Sequence, residues 1–144
     1  MSMTRFLKLS LLGVGTVAIL TIGSLYGLFH GYFDQGRFEI KQFQPSTANQ
    51  VAMVAERSDD EALGGLDYFV LIGDHLFDPA ELRHAYHSNS VVFSAVSNCL
   101  TLHWDGPSRL VIRSAGPAVD RNQISSQKQR IRGIAISYEN IALK

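Results

Sequence analysis

The chain has 144 residues, with 13 Lys or Arg against 13 Asp or Glu and a single cysteine. One cysteine excludes an internal disulfide, and the even charge balance argues against a nucleic-acid partner, which favours a basic stripe. Arg5 and Lys8 precede the apolar segment, which leaves 11 basic and 13 acidic residues elsewhere in the chain. This excess of acid also argues against a polybasic lipid-binding surface.

The most apolar segment runs from Leu9 to Phe33 and contains no Asp, Glu, Lys or Arg. A helix needs roughly 20 apolar residues to cross a bilayer, so we predict a transmembrane helix over residues 9–33. Positive charge near a membrane end is retained in the cytoplasm. Arg5 and Lys8 therefore predict a cytoplasmic N-terminus in a bacterial inner membrane, with the rest of the chain in the periplasm or outside the cell. The alternative is a cleaved signal peptide.

Glycines recur every four residues near the end of this segment, at Gly23, Gly27 and Gly31. Small residues at this spacing let two transmembrane helices approach closely. The stripe is therefore a candidate for helix packing, either with a second copy of the chain or with another protein. The alternative is that the glycines are simply tolerated in a membrane span.

Beyond the anchor, short apolar runs alternate with turn residues, which is typical of strands. We predict a strand over 38–43, a turn over 44–49, a strand over 50–57, a polar loop over 58–65 and an apolar strand over 66–73. The second and third strands form a hairpin across the loop.

One helix is predicted in this part of the chain, starting at Asp78. Asp78 caps the free amides, Pro79 suits the first helical position, and Glu81 completes a capping box. Leu82 and Ala85 share the face that packs on the rest of the domain.

Further strands are predicted after the helix. They cover residues 90–96, 98–104, 109–113 and 130–138, with a strong turn over 105–108, a long loop over 114–129 and a bulge at Gly133.

The resulting organisation has four parts: a cytoplasmic flank (1–8), a transmembrane helix (9–33), a juxtamembrane strand and loop (34–49) and an outer β-rich domain (50–144). With six or seven strands, one short helix and mostly antiparallel hairpins, we expect a β-sandwich or a twisted antiparallel sheet carrying a helix.

Several short motifs follow one another in this domain: Glu56-Arg57, then Trp104 with a turn and Leu110-Val111-Ile112, then GIAISYE over 133–139. This order resembles a group of small bacterial membrane-anchored or lipid-anchored proteins of unknown function, over roughly residues 50–140. The resemblance implies an anchor followed by a β-rich domain and carries no activity with it. Many members have Cys-Gly-Ala-Thr-Thr after the Glu-Arg pair, where this chain has SDDEA.

The acidic loop provides the candidate partner-contact residues Asp59, Asp60 and Glu61. Three carboxylates in four positions suit a basic partner, and exposed loops often carry function. The alternative is a solvated hairpin tip. The alternation of ligands found in calcium loops is missing.

Histidines offer a second candidate, because His84 and His87 fall near each other at the end of the predicted helix. A metal site requires a third ligand, for which Asp74, His75 and His103 are candidates. Two surface histidines without a metal are the favoured interpretation.

Catalytic patterns are weak in this sequence. Cys99 and His103 share a predicted strand face but lie about 13 Å apart, too far for a direct pair. The sequence contains no nucleophile elbow, phosphate loop or dinucleotide fingerprint. Trp104 shares its face with Leu100 and Leu102, which favours a core position.

We therefore predict a non-enzymatic, single-pass membrane protein that binds another protein and uses no cofactor. A toxin-immunity protein and an accessory subunit of an envelope complex are specific versions. The alternative is a membrane-tethered metal or small-molecule sensor, and a hydrolase of unrecognised type is the least favoured.

Overall fold

The computed structural model describes residues 15–26, 36–59 and 65–144. The chain divides into two units, Met1–Asp34 and Gln35–Lys144. In the first unit, residues 15–26 form a helix (α1). Among the described residues, no helix is both long enough and apolar enough to cross a membrane. The predicted span over residues 9–33 extends beyond α1 on both sides, and those parts lie outside the described residues.

The second unit is mainly β, as predicted, and its described residues form two sheets and two short helices. In chain order its elements are β1 (Arg37–Pro45), β2 (Val51–Ser58), β3 (Leu66–Gly73), α2 (Pro79–Tyr86), β4 (Phe93–Ala95), β5 (Leu100–Trp104), β6 (Arg109–Ser114), a 3₁₀ helix (Arg121–Gln123), β7 (Ile124–Gln127), β8 (Arg130–Ile131) and β9 (Ile134–Glu139).

The five-stranded large sheet has the order β1-β2-β3-β4-β7, and the four-stranded small sheet has the order β5-β6-β9-β8. Neighbouring strands are antiparallel except β6 and β9, which are parallel. The predicted hairpins β2–β3 and β5–β6 are therefore confirmed.

The second unit has three layers, because successive side chains of a strand point to opposite faces of a sheet. On one face of the large sheet, Val70 shares a hydrophobic cluster with Leu110 of the small sheet. On the other face, Met53 and Phe69 form a second cluster with Leu82 of α2. The large sheet is thus covered by α2 on one side and by the small sheet on the other.

Helix α2 begins as the sequence predicts. The Asp78 side chain accepts hydrogen bonds from the amides of Ala80 and Glu81, both at 2.8 Å, and Glu81 accepts one from the Asp78 amide at 2.9 Å. Leu82 and Ala85 are buried. The capping box fixes the start of the helix, and the two apolar side chains fix its orientation on the large sheet.

The predicted loop over 114–129 is wrong in part, since it contains the 3₁₀ helix and β7. Strand β7 pairs with β4 and places Ile124 opposite Ala95. Ile124 is buried, whereas the other residues of β7 are exposed or half-buried. One apolar side chain in a polar segment creates no periodicity, so the strand depends on tertiary pairing.

The predicted strand over 130–138 is also wrong in part, because it is two strands joined by a tight turn. Arg132 and Gly133 have positive φ of 47° and 82°, and Ile131 pairs with Ile134 across them. Two consecutive residues in this conformation form a two-residue hairpin turn. Gly133 therefore lies in a turn, not in a bulge.

Side chains bind a backbone carbonyl at each edge of the large sheet. At β1, the carbonyl of Gln44 accepts a hydrogen bond from Trp104 Nε1 at 2.8 Å. At β7, Lys144 Nζ donates to the carbonyl of Ile124 at 2.9 Å, and Gln127 Nε2 donates to the carbonyl of Ala142 at 3.0 Å. Such contacts hinder pairing with another chain along these edges.

Candidate functional site

The predicted partner-contact loop leaves the large sheet at one end of β2. Arg57 binds Asp59 there through two contacts, at 2.8 and 3.0 Å. Asp59 is therefore held by a bidentate ion pair, which fixes its carboxylate and offsets its negative charge with the guanidinium of Arg57. Asp60 and Glu61, the other two predicted contact residues, lie outside the described residues.

A polar cluster behind this ion pair anchors the ends of the flanking strands. The Asp67 carboxylate accepts hydrogen bonds from the hydroxyls of Tyr86, at 2.9 Å, and Ser94, at 3.0 Å. Arg57 lies opposite Asp67 in the register of β2 and β3, and its guanidinium lies 5.5 Å from the centre of the Tyr86 ring. The cluster joins β2, β3, β4 and α2 at the base of the loop.

Sequence reasoning missed this cluster, since its members are far apart in the chain. Asp67 and Ser94, for example, are separated by 27 residues. A polar residue inside an apolar strand is the only available signal, because a carboxylate that is partly removed from water requires hydrogen-bond partners. Asp67 is such a residue, within LDYFVLIG.

The second unit begins at the same end of the large sheet. Arg37 at the start of β1 pairs with Ser58, and Ser58 pairs with Leu66. This end also exposes apolar side chains, because Leu66 is 48% and Val96 62% exposed. The start of β1, the acidic loop and two exposed apolar residues therefore share one end of the sheet, which we call the loop end.

The histidines do not form a single group. His75 lies between two carboxylates: Nδ1 is 2.6 Å from Asp74 Oδ1, and Nε2 is 3.0 Å from Glu81 Oε1. These residues and His84 line an open cleft of about 640 Å³ beside α2. His103 lies on β5 in the small sheet, across the large sheet from α2.

The two carboxylates favour the charged form of His75. Hydrogen bonds to Glu81, and then to Asp74, raise the pKa of the imidazole above its usual value. The same contact with His75 lowers the pKa of Asp74. Because both ring nitrogens face an acceptor, the imidazolium donates to both, and the triad acts as an ion cluster at the mouth of the cleft.

A metal site needs several ligands within reach of one ion. In the part of the chain that the structure describes, no group of three His, Cys, Asp or Glu side chains is arranged to hold one. His87 follows α2 as its C-cap, and its ring packs edge-on against Tyr86.

Trp104 ends β5, within the predicted strand over 98–104, whereas Cys99 lies outside the strand that the structure forms. Cys99 directly precedes β5, and its thiol contacts Asn98 Oδ1 at 3.2 Å. Four residues separate it from His103, which corresponds to about 13 Å along a strand. Trp104 is half-buried against the cluster between the sheets.

The glycine stripe is described only in part. Gly23 lies in α1. A Cβ added there would have no atom within 4 Å, apart from its chain neighbours and the backbone of its own helix. Gly27 and Gly31 lie outside the described residues. The large apolar side chains of α1 are exposed: Val17, Ile19, Leu20, Ile22, Leu25 and Tyr26.

The chain matches no protein-family model, no curated protein and no solved structure.

Proposed function

We propose that the chain is a non-catalytic, single-pass protein of the bacterial inner membrane whose β domain binds another protein on the periplasmic or outer side. In this proposal, residues 9–33 are the anchor and the glycine stripe contributes to helix packing. The two sheets with a common hydrophobic cluster suit the β-sandwich version of the expected fold. The layout is also that of the small anchored β-rich proteins that the sequence resembles.

The observation that carries the proposal is the composition of the loop end. Polar groups there are fixed by contacts within the domain, as the bidentate pair between Arg57 and Asp59 illustrates. Leu66 and Val96 are exposed beside them. Exposed apolar side chains next to preorganised charges are features of protein-binding surfaces.

The tether restricts where this surface can act. Arg37, at the start of β1, is four residues after Phe33, the last residue of the predicted span. At about 3.5 Å per residue this link reaches at most about 14 Å. Because the link is this short, the proposed partner is a membrane protein or a protein bound at the membrane. An immunity protein against an envelope toxin and an accessory subunit of an envelope complex both fit this position.

Photocrosslinking in native membranes tests the proposal. A photoreactive residue replaces Asp60 or Leu66 at the loop end. The matched control replaces Asp105, since the turn that follows Trp104 lies near the opposite end of β1, where Trp104 contacts Gln44. We expect one dominant crosslinked protein from the loop-end positions and none from Asp105. Equal crosslinking at both ends, or none at either, contradicts the proposal.

A second candidate is a membrane-tethered sensor of a metal ion or small molecule, and the cleft beside α2 favours the small-molecule version, because no three ligand side chains among the described residues are arranged to hold a metal ion. The cleft is open, has a volume of about 640 Å³ and is lined by Asp74, His75, Glu81 and His84. Calorimetric titration of the full chain with zinc, copper and calcium tests the metal version. A heat of binding that disappears in the His75→Ala variant supports the metal version. The absence of any heat of binding with all three ions contradicts it.

A further inference from the structure

The near-neutral composition of the β domain hides a strong segregation of charge. Residues 35–98 contain four Lys or Arg and nine Asp or Glu, a formal charge of −5. Residues 99–144 contain seven Lys or Arg and three Asp or Glu, a formal charge of +4. The second segment includes all four strands of the small sheet. An argument from total charge alone therefore misses a basic surface.

Part of this positive charge lies on the outer face of the small sheet. In β6, Leu110 and Ile112 are buried against the large sheet, so Arg109 and Arg113 project to the opposite side. In β8, Arg130 pairs with Ala135 of β9. Ala135 lies between Ile134 and Ile136, which are buried, so it also faces outward. Arg130 therefore shares this outer face.

Register fixes the spacing of the three arginines. Arg109 and Arg130 both lie opposite Ala135, on the two sides of β9. Two strand spacings separate their backbones, which is about 10 Å. Arg113 is four residues from Arg109 along β6, which is about 13 Å.

Glu139 is the only acidic residue in the four strands and forms an exposed ion pair with Arg113 at 3.4 Å. Asp105, in the turn before β6, forms one with Arg109 at 3.5 Å. Exposed pairs of this kind are weak, so both guanidinium groups can exchange these partners for a phosphate.

The centre of the outer face of the small sheet carries only short side chains. Val111 and Ser137 pair with each other and are half-buried, as is Ala135. Short side chains in the middle and long basic side chains around them make a broad, shallow surface. Neither hydrophobic cluster of the described residues includes this face.

We propose that the outer face of the small sheet docks on an anionic bilayer and that its three arginines contact lipid phosphates. The proposal rests on the membrane anchor of the proposed function and adds a second contact with the same membrane. Guanidinium groups bind phosphate through paired hydrogen bonds. A basic residue close to an anionic leaflet is attracted to it, and this attraction decays with distance from the leaflet over about one Debye length.

A bilayer suits this face better than an acidic protein does. The arginines are spread over a shallow surface, whereas protein interfaces concentrate their binding energy on side chains that fill pockets. A tethered domain also meets the membrane at a high effective concentration, so a few weak contacts are sufficient to orient it.

Site-directed spin labelling of the full chain in lipid nanodiscs tests the inference. Cys99→Ser removes the native thiol, and His103→Cys places a label on the outer face. His84→Cys places a matched label beside the cleft, on the α2 side of the domain. Collision with a water-soluble nickel chelate is compared between phosphatidylcholine discs and discs with about one part phosphatidylglycerol in four. We expect accessibility at position 103 to fall about two-fold or more in the anionic discs, with no change at position 84.

Two controls separate phosphate binding from other causes. About 0.5 M NaCl is expected to restore accessibility at position 103, because it shortens the Debye length. The variant R109E/R113E/R130E is expected to abolish the protection, and R121E, in the exposed 3₁₀ helix, to retain it. If the triple variant does not fold, Arg130→Glu alone is used, with a partial loss of protection expected.

Three results overturn the inference. The first is equal accessibility at position 103 in both lipid compositions, and the second is protection that survives the reversals. The third is protection in native membranes but not in anionic discs, which identifies a protein as the occupant. A chain that does not incorporate into phosphatidylcholine discs refutes the anchor instead, so the two failures are distinguishable.

Discussion

The two sheets differ in how many of their faces are covered. The central strands of the large sheet, β2 and β3, are buried on both sides, and their sequences VAMVA and YFVLIG are almost continuously apolar. Strands β5 and β6 of the small sheet alternate strictly, as LTLHW and RLVIR, and bury one side only. A doubly covered sheet has no face for a ligand, so it presents only its ends and edges. The singly covered sheet presents a whole face.

The largest expected effect is a loss of stability on removing a buried side chain from the large sheet, which is covered on both faces. Phe69 on β3 is fully buried and stacks edge-on with Phe38 and Tyr86. Phe69→Ala is expected to lower the free energy of unfolding by about 3–5 kcal/mol, because the cavity lies between a sheet and a helix. Val111→Ala on the outer face of the small sheet is the matched control, with an expected change within about 0.5 kcal/mol. Urea denaturation measures the free energy of unfolding of both variants. Similar losses in the two variants would contradict the difference in coverage between the two sheets.

A second prediction concerns the turn of the small sheet. Gly133 has φ of 82°, and a Cβ there has open space. Gly133→Ala is therefore expected to cost about 1–2 kcal/mol through backbone strain alone. Gly65 also has open space and no positive φ, so Gly65→Ala is expected to be neutral. Thermal unfolding compares the two variants. Equal melting temperatures show that the turn at Gly133 does not need the left-handed conformation.

A smaller loss of stability is expected from a substitution at the start of α2, the helix that covers one face of the large sheet. Asp78→Ala removes two hydrogen bonds to free helix amides and is expected to cost about 1 kcal/mol. Asp105→Ala removes a solvent-exposed ion pair with Arg109, whose charged atoms are 3.5 Å apart. This variant is therefore expected to change stability little. Denaturant titration measures both variants. An unchanged midpoint for Asp78→Ala contradicts the importance of the cap.

The smallest expected effect is on the ion cluster at the cleft. NMR titration is expected to show a raised pKa for His75, and Glu81→Gln is expected to lower it more than Asp74→Asn. A raised folded-state pKa stabilises the domain fully below the unfolded value near 6.5, and the benefit disappears as the pH rises through the folded value. The stability gap between the wild type and Asp74→Asn is therefore expected to be widest between the unfolded pKa values of Asp74, 3.8, and His75, 6.5. The gap narrows as the pH rises through the folded pKa of His75, and it narrows again in stronger acid as Asp74 becomes protonated. A gap that widens as the pH rises through the folded pKa of His75 contradicts the ion pairing.

Local patterns were sufficient to predict much of this fold. Continuous apolar runs indicated β2 and β3, alternation indicated β5 and β6, and the Asp78-Pro79-x-Glu81 pattern indicated the start of α2. Each of these signals lies within one element and its own turn. The prediction of a mainly-β domain depended on no long-range information.

The missed features all depend on distant partners. Strand β7 has one apolar side chain, Ile124, and exists because β4 pairs with it. The cluster around Asp67 is assembled from four elements, and the outer face of the small sheet combines arginines from β6 and β8. Total composition gave a misleading expectation here, because it averages two oppositely charged segments of the chain.

The parallel pairing of β6 with β9 has a consequence for the order of folding. Between these strands the chain crosses to the large sheet to form β7 and then returns through β8. Neither sheet is therefore complete until residues 124–139 have been synthesised and are free to move. A nascent chain halted before residue 124 lacks one of the two partners of β4 and one of the two partners of β6. Contacts between such distant segments slow folding, so the last strands of the β domain are expected to set the rate at which both sheets form.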